Sequence, residues 1–181
     1  MKKIILLALL TFSIFAAYAQ KEISEQEMKN MKNQVEAAAL KFRKTLEKET
    51  KNQLSINFQL DTFRIEEMMR LRMEFDWSTS GSVQAVYDAE TEYDKLLNKY
   101  YKILLGDLEE TEKEVLKKAQ RNWIAFRDAE RELRALLIKE KYSGGGTIQR
   151  QFLAAHYLGL TTDRVVALYN HLWNLEKYGN E

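Results

Sequence analysis

The sequence predicts an all-α fold, a helical bundle of five to six helices with an N-terminal helical extension. The 181-residue chain contains no proline, the residue that the interior of a helix tolerates least. All seven glycines lie at or beyond Gly81, so residues 20–80 contain neither strong helix breaker. Apolar residues recur at steps of three and four, and no segment alternates with the period of two that strands show. With 45% hydrophobic residues, the chain is too apolar for intrinsic disorder and long enough to bury a core.

Residues 1–19 have the pattern of a signal peptide. Lys2 and Lys3 precede the apolar stretch Ile4–Ala17, and Ala17-Tyr18-Ala19 is typical of a cleavage site. The stretch is shorter than the roughly 20 residues that a membrane-spanning helix needs, and an uncleaved anchor is the alternative. We therefore expect an exported protein, periplasmic or extracellular, without stable membrane insertion after cleavage. Because the chain has no cysteine, we do not expect a lipoprotein.

The charge balance excludes two classes of partner. Without residues 1–19, 26 basic side chains (28 − 2) stand against 27 acidic ones, which gives a net charge of −1. This balance provides no basic footprint for nucleic acid and no polybasic patch for a membrane surface.

Residues 20–80 are predicted to form a helical hairpin. Ser24 and Glu27 have the spacing of a capping box and open a first helix. The apolar positions of that helix are Met28, Met31, Val35, Ala38, Phe42 and Leu46. The polar segment Lys51–Asn57 is expected to end it, and a second helix is predicted over Asp61–Phe75.

Two long helices follow a predicted loop at Ser78–Gly81. The third helix is predicted over about residues 82–105 and ends at Gly106. Asp107, with Glu110 three residues later, is predicted to cap a fourth helix that extends to about residue 140. The apolar residues of the fourth helix are predicted to share one stripe: Leu116, Ala119, Trp123, Phe126, Leu133 and Leu137.

A glycine-rich loop at residues 142–147 is predicted to act as a hinge between helices. It is not a phosphate-binding P-loop, because no Lys-Ser/Thr pair follows its glycines. A short helix is predicted at about residues 147–158, and Thr161 is predicted to cap the last helix.

No catalytic, metal or cofactor site is predicted. The absence of cysteine excludes disulfides, a thiol nucleophile and thiolate metal sites. The two histidines, His156 and His171, lack metal-binding spacing, and the chain has no G-x-S-x-G motif. Carboxylate pairs such as Glu66-Glu67 are expected on solvated helix faces. We therefore expect a binding protein rather than an enzyme.

One face of the third helix and one face of the fourth mix polar with apolar residues. The members are Asp94, Leu97, Asn98 and Tyr101 on the third helix and Gln120, Trp123 and Arg127 on the fourth. Because buried polar groups need partners, we predict that the two faces meet, with Asp94 or Asn98 bonded to Gln120 or Arg127. A structural network and a ligand site are both interpretations of this pattern.

The same residues carry a family resemblance. The chain contains D-x-x-L-N-x-x-Y at 94–101, A-Q-R-x-W-I-x-F-R-D-A-E at 119–130 and L-T-x-x-R-x-x-x-L at 160–168, with a glycine-rich gap between the last two. Over about residues 83–176, this pattern resembles the lysozyme inhibitor LprI-like N-terminal domain, a family of small exported helical domains. The resemblance implies a family domain at residues 81–181 with these structural motif residues: Asp94, Leu97, Asn98, Tyr101, Gln120, Trp123, Phe126, Arg127, Asp128, Leu160, Thr161 and Arg164.

Two positions depart from the family pattern. The resemblance implies cysteines just after the R-D-A-E stretch and five residues before the L-T threonine, where this chain has Arg131 and His156. It also implies a disulfide that ties the long fourth helix to the helix after the glycine loop. Without that bridge, we expect the loop to be freer and packing alone to hold the geometry.

The function that the resemblance implies is inhibition of lysozyme by protein–protein binding, without a cofactor. An inhibitor needs a protrusion that enters the enzyme's cleft, and the candidate is the glycine loop: Tyr142, Ser143, Gly144, Gly145, Gly146 and Thr147. Its flanks are basic at Lys139, Lys141 and Arg150, which predicts poor electrostatic steering towards a cationic lysozyme.

Two alternatives stand beside inhibition. The first is a periplasmic scaffold or interaction protein that uses methionine-rich faces of residues 20–80. The methionines concerned are Met28, Met31, Met68, Met69 and Met73. The second alternative is a peptidoglycan-acting enzyme, which ranks last because the sequence has no catalytic constellation.

Overall fold

The computed structural model describes residues 22–179, and the predicted signal peptide lies outside them. The described chain folds into six α-helices and no strand, which confirms the all-α prediction. The helices are α1 (Glu25–Glu49), α2 (Gln53–Phe75), α3 (Thr79–Asp107), α4 (Glu110–Leu137), α5 (Glu140–Ser143) and α6 (Ile148–Tyr178). Within this part of the chain, no helix is long and apolar enough to cross a membrane.

Side-chain caps set the starts of the first two helices. Ser24 Oγ accepts from the backbone N–H of Glu27 at 3.3 Å, and the Glu27 carboxylate accepts from the backbone N–H of Ser24 at 2.9 Å. The predicted capping box is therefore confirmed. Asn52 caps α2, because its side-chain oxygen accepts a backbone N–H of the first turn at 2.6 Å. The predicted break at Lys51–Asn57 was too long, since α2 begins directly after this cap.

Two predicted helix boundaries in the second half of the chain are wrong. Gly106 and Asp107 lie inside α3, and Glu109 opens α4, with its backbone N–H bound by a first-turn carboxylate at 3.0 Å. Thr161 lies in the middle of α6 and caps nothing. Its hydroxyl oxygen lies 3.3 Å from the carbonyl oxygen one turn earlier, and the helix is continuous through it. The predicted short helix and last helix are therefore one.

The centre of the bundle is the packing of α3 on α6. These two helices make the most extensive contact, while α1 packs on α2, α2 packs on α3, and α4 lies against α6. The main core consists of Tyr93, Leu96, Leu97, Tyr100, Leu104, Leu116, Val165, Leu168 and Leu172. Two smaller apolar clusters lie between α1 and α2, so α1 is attached to the bundle through α2.

Helix α2 contributes to the same core. Phe58 stacks on Tyr169 of α6 with ring centroids 3.9 Å apart, and it meets the edge of Tyr100 of α3 at 5.4 Å. The Tyr100 hydroxyl donates to Asp61 of α2 at 3.1 Å. Residues 20–80 therefore supply apolar surface to the centre of the bundle, and their independence as a hairpin extension stays a prediction.

Candidate functional site

Helix α4 is held against the bundle by a largely polar face. Its buried residues are Leu116 and Gln120. Trp123, Arg127 and Arg131 continue this inward line at steps of three and four. Because a guanidinium group shielded from water is costly unless it is paired, each arginine on this line needs a partner on a neighbouring helix.

The contact predicted between the third and fourth helices is present. Arg127 Nη1 lies 3.8 Å from Asp94 Oδ1, and Asn98 Nδ2 donates to the other oxygen of that carboxylate at 3.2 Å. Gln120 does not join this pair, because its side-chain oxygen accepts from Arg164 Nε of α6 at 3.0 Å. Of the predicted combinations, the structure therefore contains Asp94 with Arg127, and Gln120 links α4 to α6 instead.

Two guanidinium groups lie close to the ring of Trp123. The guanidinium carbon of Arg127 is 5.2 Å from the centroid of the indole ring, and that of Arg164 is 5.9 Å away. Burial lowers the pKa of Arg164 from its ordinary value. Arginine nevertheless stays protonated in proteins, so α4 and α6 meet through an aromatic ring held by two cations.

A second network joins three helices around Arg131. Arg131 Nη2 donates to Glu90 Oε1 of α3 at 2.5 Å, and Thr161 Oγ1 of α6 donates to the same oxygen at 3.1 Å. The Tyr157 hydroxyl of α6 donates to the backbone carbonyl of Arg131 at 3.1 Å, and its ring lies 4.9 Å from the guanidinium. One side chain of α4 therefore binds α3 and α6 together.

Glu90 and Tyr157 were not predicted from the sequence as members of this site. Glu90 lies four residues before Asp94, which places both carboxylates on one face of α3. That spacing is the sequence signal from which Glu90 could have been predicted as a member of the site. Tyr157 gave none, because a tyrosine at a helical step is equally consistent with ordinary core packing.

The two positions where the resemblance implies cysteines do not form a substitute bridge with each other. Arg131 bonds to α3 and to Thr161 and Tyr157 of α6, and none of the hydrogen bonds among the described residues joins Arg131 to His156. Among the described residues, the buried nitrogens without a hydrogen-bond partner are Arg131 Nε, Arg134 Nε and His156 Nε2. The charged network therefore ties α4 to its neighbours through Arg131, one of the two implied cysteine positions, but with partners other than His156.

The glycine loop has more regular structure than predicted. Tyr142 and Ser143 belong to the short helix α5, and the three glycines after it have φ angles of 75°, 77° and 91°. Such positive φ angles strain any residue with a Cβ atom. Ser143 Oγ donates to the carbonyl of Ile138 at 2.8 Å and accepts from the N–H of Gly145 at 3.2 Å. Thr147 then begins α6 without a side-chain cap.

Large apolar side chains are exposed on both sides of this loop. We call them the apolar tip: Leu133, Leu136, Leu137, Tyr142, Ile148 and Phe152, each between 41% and 53% exposed. The predicted single stripe on α4 was wrong, because Leu116 and Trp123 turn towards the bundle while Phe126, Leu133 and Leu137 face solvent. The polar network occupies the inner face and leaves these apolar residues outside.

The remaining motif residues take ordinary positions. Leu97 belongs to the main core, and Tyr101 packs at its edge. Leu160 is half-buried. Asp128 is exposed and lies 2.8 Å from Arg127, so Arg127 has two carboxylates near it.

A family model described as Lysozyme inhibitor LprI matches residues 76–168. The chain belongs to this LprI family. The match confirms the resemblance, and its range includes α3, α4, α5 and the part of α6 that carries Tyr157, Thr161 and Arg164. Both polar networks and the apolar tip therefore lie inside the LprI segment. No curated protein and no solved structure matches the chain.

Outside the core of the LprI segment, a groove of about 580 Å³ runs between α1, α2 and α3. Three of the predicted methionines line it, namely Met28, Met68 and Met69, while Met31 is buried. Two ion pairs lie on its walls: Arg64 with Glu36 and Arg72 with Asp88. Among the described residues, no group of three or more His, Asp or Glu side chains is placed to hold a metal ion.

Proposed function

We propose that the mature protein is an exported cell-envelope protein that inhibits lysozyme by binding to it. Membership of the LprI family over residues 76–168 supports an inhibitor rather than a catalyst. The signal-type pattern at residues 1–19 supports export to the compartment where lysozyme acts. The observation that carries the binding surface is the apolar tip around the glycine loop.

The apolar tip has the composition of a protein-binding surface. Six large apolar side chains are half-exposed within the segment from Leu133 to Phe152, and contiguous apolar patches on soluble proteins mark interaction sites. Removing such side chains from water on binding stabilises a complex by about 25 cal/mol for each Å² of apolar surface. Tyr142, which is 53% exposed at the loop, provides an aromatic anchor of the kind that dominates binding energies.

The polar networks beneath the tip support binding by limiting its motion. Arg131 and Arg127 fix α4 to α3, and Gln120 and Trp123 fix it to α6. A surface that is already ordered loses less conformational entropy when a partner binds. We therefore propose that α4 and α6 act as a rigid support and the glycine loop as the adjustable element.

The charges around the tip are mixed. The basic residues Lys139, Lys141 and Arg150 and the acidic residues Glu130, Glu132 and Glu140 occur in the same segment of the chain. Charge of both signs provides little long-range steering, so we expect association with lysozyme to depend weakly on salt concentration. Affinity then comes mainly from apolar burial.

The test is a lysozyme activity assay with purified residues 20–181. We expect inhibition by the unmodified protein and at least about tenfold weaker inhibition by Leu133→Ser combined with Phe152→Ser. The matched control is Val115→Ser combined with Trp77→Ser, which changes exposed apolar residues outside the tip and leaves inhibition unchanged. Absence of inhibition by the unmodified protein contradicts the proposal, and equal losses in both double variants contradict the assignment to the tip.

The methionine-lined groove favours a second candidate, an interaction protein of the cell envelope. Methionine side chains adapt to different partner surfaces, and Met28, Met68 and Met69 lie together on the groove wall and floor. In this case residues 20–181 should capture an envelope protein. The double variant Met28→Ser with Met69→Ser should fail to capture it. The tip double variant keeps its capture, which distinguishes the two candidates.

A further inference from the structure

Arg164 is a half-buried cation without a counter-charge. Its Nε donates to Gln120 Oε1 at 3.0 Å, and none of the described carboxylates forms an ion pair with it. Three other shielded arginines of the bundle have a carboxylate partner: Arg72 has Asp88, Arg127 has Asp94 and Arg131 has Glu90. Arg134 forms no ion pair with a described carboxylate either, but its Nε is buried without a hydrogen-bond partner, whereas Arg164 Nε is held by Gln120. An unpaired guanidinium in such surroundings is costly, so an anion bound at Arg164 would relieve this cost.

The free donors of Arg164 point to an anion. A guanidinium carries five N–H donors in a planar fork, and Gln120 uses only the one on Nε. The two terminal nitrogens make no hydrogen bond to any described residue, and neither is among the nitrogens sealed from solvent. Two parallel N–H groups of this kind match the two oxygens of a carboxylate.

The surroundings of Arg164 form a wall with a defined orientation. Gln120 is only 9% exposed and holds the guanidinium by Nε. The Trp123 ring lies 5.9 Å away and offers an apolar face beside the fork. Burial lowers the pKa of Arg164, while the nearby Tyr101 opposes that shift. The guanidinium is thus partly desolvated and oriented, which strengthens its attraction for an anion.

Nearby carboxylates select the charge of the ligand. Asp94 and Asp128 accompany Arg127, whose guanidinium carbon lies 5.2 Å from the centroid of the same Trp123 ring. A dianion such as phosphate is repelled by two carboxylates more strongly than a monoanion. A planar monocarboxylate with an apolar substituent satisfies both the fork and the indole face.

We propose that Arg164, Gln120 and Trp123 form a binding site for a small organic carboxylate, such as the free C-terminus of a short peptide. The site lies between α4 and α6, apart from the apolar tip, and its occupancy does not depend on lysozyme binding.

The test follows the indole N–H signals of residues 20–181 by nuclear magnetic resonance, because the three tryptophans give separate signals. The probe is acetyl-Ala-Ala with a free carboxylate, and the matched control is the same peptide with a C-terminal amide. We expect a saturable shift of the Trp123 signal with the acid, no shift with the amide, and at least about tenfold weaker binding of inorganic phosphate. Trp77 should not respond.

Arg164→Lys keeps the positive charge and removes the fork, so it should weaken binding of the acid at least about tenfold. Arg121→Lys, an exposed change on α4, is the control and should bind as the unmodified protein does. An equal shift with acid and amide overturns the proposal, as does no shift up to about 50 mM acid. Unchanged affinity of Arg164→Lys for the acid also overturns the proposal, because the carboxylate then binds without the guanidinium of Arg164. None of these results depends on the lysozyme assay.

Discussion

Arg131 Nη2 of α4 lies 2.5 Å from Glu90 Oε1 of α3, at a position where the family resemblance implies a cysteine. The two side chains are only 25% and 16% exposed, and Thr161 of α6 donates to the same carboxylate oxygen. A charged contact among three helices therefore stands where a covalent link between two helices is implied. Such a contact stabilises the bundle only while both charges are present.

Glu90→Gln should lower the free energy of unfolding by about 1–3 kcal/mol, less than the loss expected for a fully buried pair. The reason is that Arg131 stays shielded after it loses its counter-charge. Urea unfolding of Glu90→Gln, Arg131→Met and the double variant gives the coupling energy, which we expect to be about 1 kcal/mol or more. Glu92→Gln, whose partner Lys95 is exposed, is the control and should change stability by less than about 0.5 kcal/mol. Additive single effects would contradict the network.

Arg131→Cys with His156→Cys recreates the cysteine pair that the family resemblance implies. We expect a disulfide to form under oxidising conditions, because the family resemblance implies this pairing and Arg131 contacts Tyr157, the chain neighbour of position 156. The disulfide closes the loop between positions 131 and 156. The oxidised double variant should therefore be more stable than the reduced one by about 3 kcal/mol. Both forms lack the Glu90 pair, so the comparison isolates the bridge. The stability of the single variant Arg131→Cys, measured on the monomer, should not change when reductant is added. If intact mass shows two free thiols after oxidation, the implied pairing is wrong.

The parts of the fold that depend on local interactions were predictable from the sequence. The Ser24–Glu27 capping box is correct because it needs only residues three apart. The all-α class is correct because the apolar period and the absence of proline act along the whole chain. Thr161 was misplaced because a threonine can either cap a helix or bond back to a carbonyl within one. In the structure the Thr161 hydroxyl also meets Glu90 of a distant helix, a contact that the local sequence does not indicate.

The inner face of α4 could not be predicted from the sequence, because it too depends on residues of a distant helix. Apolar periodicity places Phe126, Leu133 and Leu137 towards the core, as for most helices. Here Arg127 and Arg131 point inward instead, because α3 supplies a carboxylate to each of them. A long-range compensation of this kind leaves no periodic signal in α4 itself. It also leaves the side chains of the apolar tip exposed. From the sequence, only the glycine loop was predicted as a binding protrusion.

Phe58→Ala should destabilise the whole bundle by about 3–5 kcal/mol, because the ring packs against both α3 and α6. Hydrogen exchange at the buried residues Leu168 and Leu172 should speed up accordingly. The control is Phe63→Ala, since the ring of Phe63 packs against that of Phe42 of α1 with centroids 4.8 Å apart. This change should loosen α1 while α6 keeps its protection. Cooperative unfolding of isolated residues 81–181 with native stability would contradict this dependence and support an independent hairpin at residues 20–80.

Two tyrosines of α3 make the stability of the bundle sensitive to alkaline pH. The Tyr93 hydroxyl donates to Glu66 at 3.0 Å, and the Tyr100 hydroxyl donates to Asp61 at 3.1 Å. Burial raises the pKa of each phenol well above its ordinary range, and the neighbouring carboxylate raises it further. In the unfolded chain both phenols titrate near their ordinary pKa of about 10.

Since the folded pKa values are raised, the stabilisation is fully present below pH 10 and is lost as the pH rises above it. The unfolded chain releases its phenolic protons there, while the folded chain keeps them. We expect the free energy of unfolding to fall by about 1.4 kcal/mol per pH unit for each of the two tyrosines. Urea unfolding at a series of pH values from neutral to alkaline measures this slope. Tyr93→Phe and Tyr100→Phe should each reduce it, whereas Tyr142→Phe, at an exposed ring, should leave it unchanged. An equal slope in all three variants would show that the loss of stability comes from other groups.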